Sequence, residues 1–148
     1  MKVKDILKAK GTVVHTIHQD ATLMAASDKF FSEKIGSLLV VDDDDAIQGI
    51  IAPNDILKAI QEGCTDENCA LQRVSRVMSK DILAASEEDS IDYIQAIMTE
   101  NRIRHIPIME KDHVKGIVSI GDVVKALIKD KEVENHYLKD YISGKYPA

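Results

Sequence analysis

Tryptophan is absent from the 148 residues and aromatic side chains make up only 4% of them. Any core must therefore be built from Ile, Leu and Val, and a 45% hydrophobic content is enough for one compact module that needs no staple. Long apolar runs are missing too. Nothing approaches the roughly 18 residues of a membrane span, and no apolar stretch of signal-peptide length follows Met1-Lys2-Val3-Lys4-Asp5. Neither a membrane partner nor secretion is expected, and the cytoplasm is the default compartment. Positive charge is scarce: 19 Lys and Arg stand against 25 Asp and Glu, a net charge of −6. That argues against nucleic acid as a partner, because phosphate-backbone binding needs a basic face and its counterion release. Local basic clusters can still hold a small anion. Only two cysteines occur, Cys64 and Cys69, in the polar stretch Glu62-Gly63-Cys64-Thr65-Asp66-Glu67-Asn68-Cys69. Their spacing fits neither a zinc knuckle nor a CxxC redox motif; they read as linker thiols, with a regulatory disulfide as the alternative. No nucleophile–base pair, metal-ligand cluster or glycine-rich phosphate loop appears, so the chain does not read as an enzyme.

What the chain does have is repetition. Gly49-Ile50-Ile51-Ala52-Pro53-Asn54-Asp55-Ile56-Leu57-Lys58-Ala59-Ile60 returns as Gly116-Ile117-Val118-Ser119-Ile120-Gly121-Asp122-Val123-Val124-Lys125-Ala126-Leu127, in register at a spacing of 67 (116 − 49). Upstream, Leu23, Ala26, Phe30 and Lys34 pair with Ile91, Ile94, Met98 and Arg102 at a spacing of 68 (91 − 23), and the lost residue falls in a loop between Asp42 and Gly49. Each copy reads as a first strand (Val13 to Ile17; Ile82 to Ala85), a helix (Thr22 to Lys34; Ser90 to Asn101), a middle strand (Ser37 to Val41; His105 to Met109), a turn, a last strand (Ile47 to Ile51; Val114 to Ile117) and a second helix. That is an α/β chain of two β-α-β-β-α repeats related by a pseudo-twofold. The boundaries are 1–61 for the first repeat, 62–73 for a linker, 74–130 for the second repeat and 131–148 for a C-terminal helical extension.

Local signals support the pattern. Thr22 and Ser90 suit helix N-caps, since a hydroxyl satisfies an otherwise orphaned N–H. Leu23, Ala26, Phe30 and Phe31 read as one helical stripe. Leu38-Leu39-Val40-Val41 is apolar throughout, as in a strand covered on both faces, and the acidic turn Asp42 to Asp45 ends it. That turn lacks the alternating ligands, central Gly and distal Glu of a Ca²⁺ loop. His18, His113 and His136 read as exposed.

Ser119-Ile120-Gly121-Asp122 falls where a strand meets a helix N-terminus, whose free N–H groups and dipole favour polar or anionic ligands. A capping box explains the same residues without any ligand, because Ser at the N-cap and an acid at N3 satisfy two backbone donors reciprocally.

Two β-α-β-β-α copies, each ending in Gly-apolar-apolar, three further residues of which the first is typically Ser or Thr, Asp and a helix, resemble the CBS-pair or Bateman module. The resemblance covers roughly Val3 to Ile128. Ser119 to Lys125, continued through Glu132, Leu138 and Tyr141-Ile142, is similar to the small stand-alone CBS-pair proteins of bacteria and organelles. Lys10-Gly11, ahead of the first strand, is similar to that group too and adds Lys10 to the candidate ligand residues. The resemblance implies a regulatory sensor of adenine nucleotides (AMP, ADP, ATP, NAD(H) or S-adenosylmethionine) in which Asp122 holds both ribose hydroxyls, Ser119 assists and Ile120 and Gly121 line the same turn. It further implies that adenine rests against Val14, His15, Ser37 and Leu38, and that Arg104 and His105, leading into Pro107, reach the phosphates. Strand alternation places Arg102 and Arg104 on one face and His105 on the other. A carboxylate is the side chain able to accept from a cis-diol with both oxygens.

The copies are unequal. Ala52 stands at the hydroxyl position of the first, Pro53 suits N1 of a helix, and Gly36-Ser37 replace Arg104-His105. Asp122 is therefore expected to head the main nucleotide site, with Asp55 more a helix-start residue and its cleft weaker, differently selective or empty. Beyond the repeats, Val124, Leu127, Ile128, Leu138, Tyr141 and Ile142 form an intermittent stripe flanked by Lys131, Glu132, Glu134 and Lys139. The resemblance implies a homodimer that this tail clasps; folding back on its own chain is the alternative. The expected role is control of an effector protein by nucleotide binding, and the competing one is a ligand-free dimeric scaffold.

Overall fold

The computed structural model describes residues 1–64 and 67–130. The described residues pack as two units, Val13–Leu83 and Met1–Thr12 with the described chain after Leu83. Packing units and sequence repeats thus differ in two places: the first residues pack with the second repeat, and 74–83 pack with the first.

In the unit Val13–Leu83, β1 (Thr16–His18) lies parallel to β2 (Leu38–Val41), which pairs antiparallel with β3 (Ile47–Ile51). All four β2 residues are buried, as expected of a strand covered on both faces. Helix α2 (Leu23–Ser32) starts at Thr22, whose Oγ1 accepts from the Ala25 N–H at 3.1 Å. It buries Leu23, Ala26 and Phe30 against Ile17, Leu38, Val40 and Ile51. Phe31 does not join that stripe. It is 83% exposed, because one residue beyond Phe30 the helix has turned about 100° away from the core. The first strand is also shorter and later than the pattern suggested, since Val13 is exposed and only Ile17 of the run is buried. Asp42 organises the acidic turn: its Oδ1 accepts from the Asp44 and Ala46 N–H groups, both at 2.9 Å. His18 is half-buried rather than exposed, with Nε2 within hydrogen-bond reach of Asp43 Oδ1 at 2.7 Å.

After β3 the chain enters α3 (Pro53–Gln61) and then a helix that sequence reading had assigned to a linker, α4 (Glu67–Leu71). The two cysteines flank its start as a disulfide, Cys64–Cys69, with Cα atoms 4.9 Å apart. The linker-thiol reading is thereby corrected: no spacing rule announces the pair, but α4 turns Cys69 back toward the end of α3. A 3₁₀ turn (Val74–Arg76) leads to Ser79, which exchanges both backbone hydrogen bonds with Ile50 at 2.9 and 3.0 Å. This close passage explains Gly49, where a Cβ would lie 2.7 Å from the Ser79 carbonyl oxygen and 2.6 Å from Met78 Sδ.

The other unit opens with α1 (Val3–Lys10), a helix the strand-and-helix pattern had not contained. Its buried residues Val3, Ile6 and Leu7 keep helical spacing. Helix α5 (Ile91–Asn101) is capped by Ser90 Oγ, which accepts from the Tyr93 N–H at 3.1 Å. Strands β4 (His105–Glu110) and β5 (His113–Ser119) pair antiparallel, and α6 (Ile120–Asp130) follows. The strand expected over Ile82 to Ala85 shrinks to one parallel bridge, Ala85 to Ile108, because Ala85 is the only fully buried residue of that run. Val3, Leu7, Ile94, Met98, Ile106, Ile108 and Val118 form the core. The expected tail helix, with Leu138, Tyr141, Ile142 and His136, lies outside the described residues, as do Thr65 and Asp66 of the linker.

Candidate functional site

At the junction of β5 and α6, Ser119 and Asp122 satisfy each other. Ser119 Oγ accepts from the Asp122 N–H at 3.1 Å, and Asp122 Oδ2 accepts from the Ser119 N–H at 2.8 Å. The capping box is therefore real. Two further features exceed it. The Ile120 N–H donates to the Arg104 carbonyl at 2.8 Å, which sets the start of β4 beside the start of α6. Lys10, the last residue of α1, donates from Nζ to Asp122 Oδ2 at 2.7 Å and to the Ile117 carbonyl at 2.8 Å. Helix α1 can lie close to β5 because Gly116 has no side chain; a Cβ there would meet Leu7 Cδ2 at 2.8 Å.

The electrostatics follow from this geometry. Burial alone favours the neutral Asp122 carboxyl, but the Lys10 ammonium and the Ser119 N–H and hydroxyl outweigh it and hold the group below the usual carboxylate range. Asp122 is ionised near neutral pH. His105 is half-buried, and burial, followed by the charges of Lys10 and Arg104, pushes its pKa down despite the pull of Asp122. The imidazole is thus neutral at pH 7, so in the free protein the cation on Asp122 is Lys10. The Arg104 side chain is exposed and makes no ion pair among the described residues. Arg102 does not share a strand face with it. Arg102 closes α5 in the left-handed conformation (φ 55, ψ 40), so strand alternation does not reach it. Pro107 is buried in β4, where its carbonyl accepts from the Ala85 N–H at 3.1 Å. Ile120 and Gly121 are exposed at the turn.

Asp55 begins α3 in the same way: its Oδ2 accepts from the Ala52 N–H at 2.8 Å. Asp5 repeats this at α1, accepting from the Lys2 N–H at 2.9 Å. An acid reaching back to its own N-cap is common to three helices, so helix-start duty does not separate Asp55 from Asp122. What separates them is Lys10. Burial raises the Asp55 pKa, opposed by the Ala52 N–H and the Lys58 charge. Asp55 opens onto a cavity of about 510 Å³ whose lining includes Lys58, Cys64, Gln72, Arg76 and Ser79. Sequence reading missed these groups, because Arg76 and Ser79 fall in the numerical start of the second repeat yet pack with the first.

Val14, His15, Ser37 and Leu38 all fall in the unit Val13–Leu83. His15 Nδ1 pairs with Glu33 Oε2 at 2.8 Å, and its carbonyl accepts from the Leu39 N–H at 3.1 Å. Ser37 and Leu38 are buried and Val14 is half-buried. Among the described residues no three His, Cys, Asp or Glu side chains gather to hold a metal ion, and no helix is long and apolar enough to cross a membrane.

Comparison with known proteins matches this architecture. The family model for the CBS domain matches residues 3–62 and 74–129. The CBS domain-containing protein CBSX3, mitochondrial, of Arabidopsis thaliana is 31% identical over 97% of this chain and 73% of its own. A crystallised CBS-domain containing protein from Agrobacterium tumefaciens superposes with a TM-score of 0.81 at 36% identity, covering 84% of this chain and 92% of that one. The CBS domain pair of protein MJ0100, solved in complex with 5-methylthioadenosine and S-adenosyl-L-methionine, superposes at 0.75 with 26% identity, over 88% of this chain and 98% of that one. With two matched repeats and these relatives, the chain belongs to the CBS domain family as a tandem pair.

Proposed function

We propose that the chain is a non-catalytic regulatory module that binds an adenosine-type ligand (AMP, ADP, ATP or NAD(H)) through Asp122 and passes its occupancy to an effector protein. The observation that carries this is the state of the Asp122 carboxylate. It is ionised, its Oδ2 is anchored by Lys10 and Ser119, and among the described residues no hydrogen bond is made to Oδ1. An anchored carboxylate with a free oxygen suits a sugar hydroxyl, and Lys10 and Arg104 supply charge for a phosphate. The adenosine compounds held by the MJ0100 pair support the ligand class. Cytoplasmic placement and a homodimer belong to the same reading, and the exposed Met24 and Phe31 on α2 with Leu57 and Ile60 on α3 give a dimer apolar surface to bury. Calorimetric titration with adenosine, AMP, ATP and NAD⁺ tests the proposal. Binding of at least one, abolished or weakened by Asp122→Ala, supports it. If none binds, the alternative gains: the Lys10 contact and the reciprocal cap already satisfy Asp122 internally, as a ligand-free scaffold requires.

A further inference from the structure

Cys64 lines the Asp55 cavity, and its disulfide to Cys69 ties the end of α3 to the segment that leads into Gln72, another lining residue. One wall is α3, which contributes Asp55 and Lys58 and runs into Cys64, whose N–H donates to the Ala59 carbonyl at 3.1 Å. A second wall, contributed by the chain after α4, begins at Gln72 and includes Arg76 and Ser79. Cys69 belongs to the support of that wall. It lies in α4, packs against the core of the unit, and its carbonyl accepts from the Gln72 N–H at 3.2 Å. Cys64 therefore ends one wall and Cys69 leads into the other, and the S–S bond is the covalent link between them. Both cysteines are half-buried, so a small or protein dithiol can approach. Lys58 and Arg76 make no ion pairs among the described residues, which leaves them able to meet an anion.

We propose that Cys64–Cys69 is a thiol–disulfide exchange site that sets the spacing of the cavity walls, and with it the affinity of the Asp55 cavity for a phosphate-bearing ligand. In the exchange a thiolate of the dithiol attacks one sulfur, the S–S bond breaks to release the other cysteine as a thiolate, and the second thiol resolves the mixed disulfide. Two electrons and two protons pass to the protein, and the dithiol leaves as its own disulfide. Disulfides in reducing compartments are characteristically of this exchangeable kind. Coupling is reciprocal: a ligand that prefers the oxidised cavity also makes the disulfide harder to reduce, by the same factor. The wall coupling stands by itself, whereas its effect on affinity rests on the adenosine-ligand reading.

The test uses the full chain, oxidised or treated with dithiothreitol, with alkylation and mass measurement to count thiols. Two thiols should appear on reduction of the folded protein; none appearing overturns the proposal. Amide hydrogen exchange should then quicken several-fold in residues 60–64 and 72–79 upon reduction while β4 and β5 stay unchanged. The Cys64→Ser, Cys69→Ser double variant should show the faster pattern with or without dithiothreitol. Equal exchange of both walls in the two redox states overturns the switch. In an Asp122→Ala background, AMP affinity should differ several-fold between oxidised and reduced protein. Equal affinities overturn control of binding. No AMP binding in either state, with the exchange difference intact, supports the switch and overturns the ligand reading of this cavity.

Discussion

Lys10 Nζ lies 2.7 Å from Asp122 Oδ2 although 112 residues separate them in the chain. The last turn of α1 is thereby placed over the first turn of α6, and the carboxylate that the repeat pattern singles out acquires a counter-ion. A ribose diol must therefore add to the free oxygen or displace an ammonium.

Replacing Asp122 with Ala should weaken nucleotide binding by about 1.5–3 kcal/mol, roughly 10- to 150-fold, the worth of a hydrogen bond to a charged group. Asp55→Ala should cost much less. Both variants also lose an N-cap acceptor, so affinities are compared by calorimetry on protein shown to be folded. Equal losses at the two aspartates would refute the asymmetry.

Arg104→Ala and Lys10→Met should weaken AMP more than adenosine, because only AMP brings a phosphate to pair with. Lys10→Met also removes the main cause of the lowered Asp122 pKa, so the carboxyl should titrate at higher pH in an NMR experiment without ligand. Stability should change little, by about 0–1 kcal/mol, as for other exposed ion pairs. An unmoved Asp122 titration would show that the contact does not persist in solution.

Acid should destabilise the protein. The folded-state pKa values of His105 and Asp122 are depressed below 6.5 and 3.8, so the folded chain holds fewer protons than the unfolded one there. Their contribution is complete above those reference values and is lost as pH falls. Asp55, raised from 3.8 by burial, works in the opposite sense, and its contribution is lost as pH rises through the carboxylate range. Only His105 among the three acts just below neutrality. The urea midpoint should therefore drop between about pH 7.5 and about pH 5.5, and drop less in His105→Gln. Parallel profiles for the two proteins would assign the effect elsewhere.

The repeated glycines should tolerate alanine unequally. At Gly49 the obstacle includes the backbone oxygen of Ser79, whereas at Gly116 it is the flexible end of Leu7. Gly49→Ala should cost about 1–3 kcal/mol through overpacking, and Gly116→Ala should stay within about 1 kcal/mol as Leu7 adjusts. Denaturant melts of the two variants decide it, and equal losses would contradict this account.

Much of the fold was legible because it depends on neighbours in sequence. The Thr22 and Ser90 caps, the buried run Leu38 to Val41 and the Ser119–Asp122 reciprocity all arise within a few residues, where spacing translates directly into geometry. Phe31 and Arg102 mark where that reasoning stops. Phe31 lies at the edge of a stripe whose width the core decides, and strand alternation was carried back to Arg102 although the strand begins only at His105. Helix α1 was missed because Val3, Ile6 and Leu7 make too short a stripe to stand out, and α4 because a polar composition resembles a linker.

By itself the sequence determined two β-α-β-β-α copies and the pair of aspartates at their helix starts, since a repeated pattern of apolar residues and caps acts through contacts that each copy makes internally. Only the tertiary structure decided that α1 packs with the second repeat, that Lys10 rather than His105 supplies charge at Asp122, and that Cys64 and Cys69 meet beside the Asp55 cavity. Those outcomes depend on which distant surfaces bury the most apolar area together, a property of whole faces that no local spacing encodes.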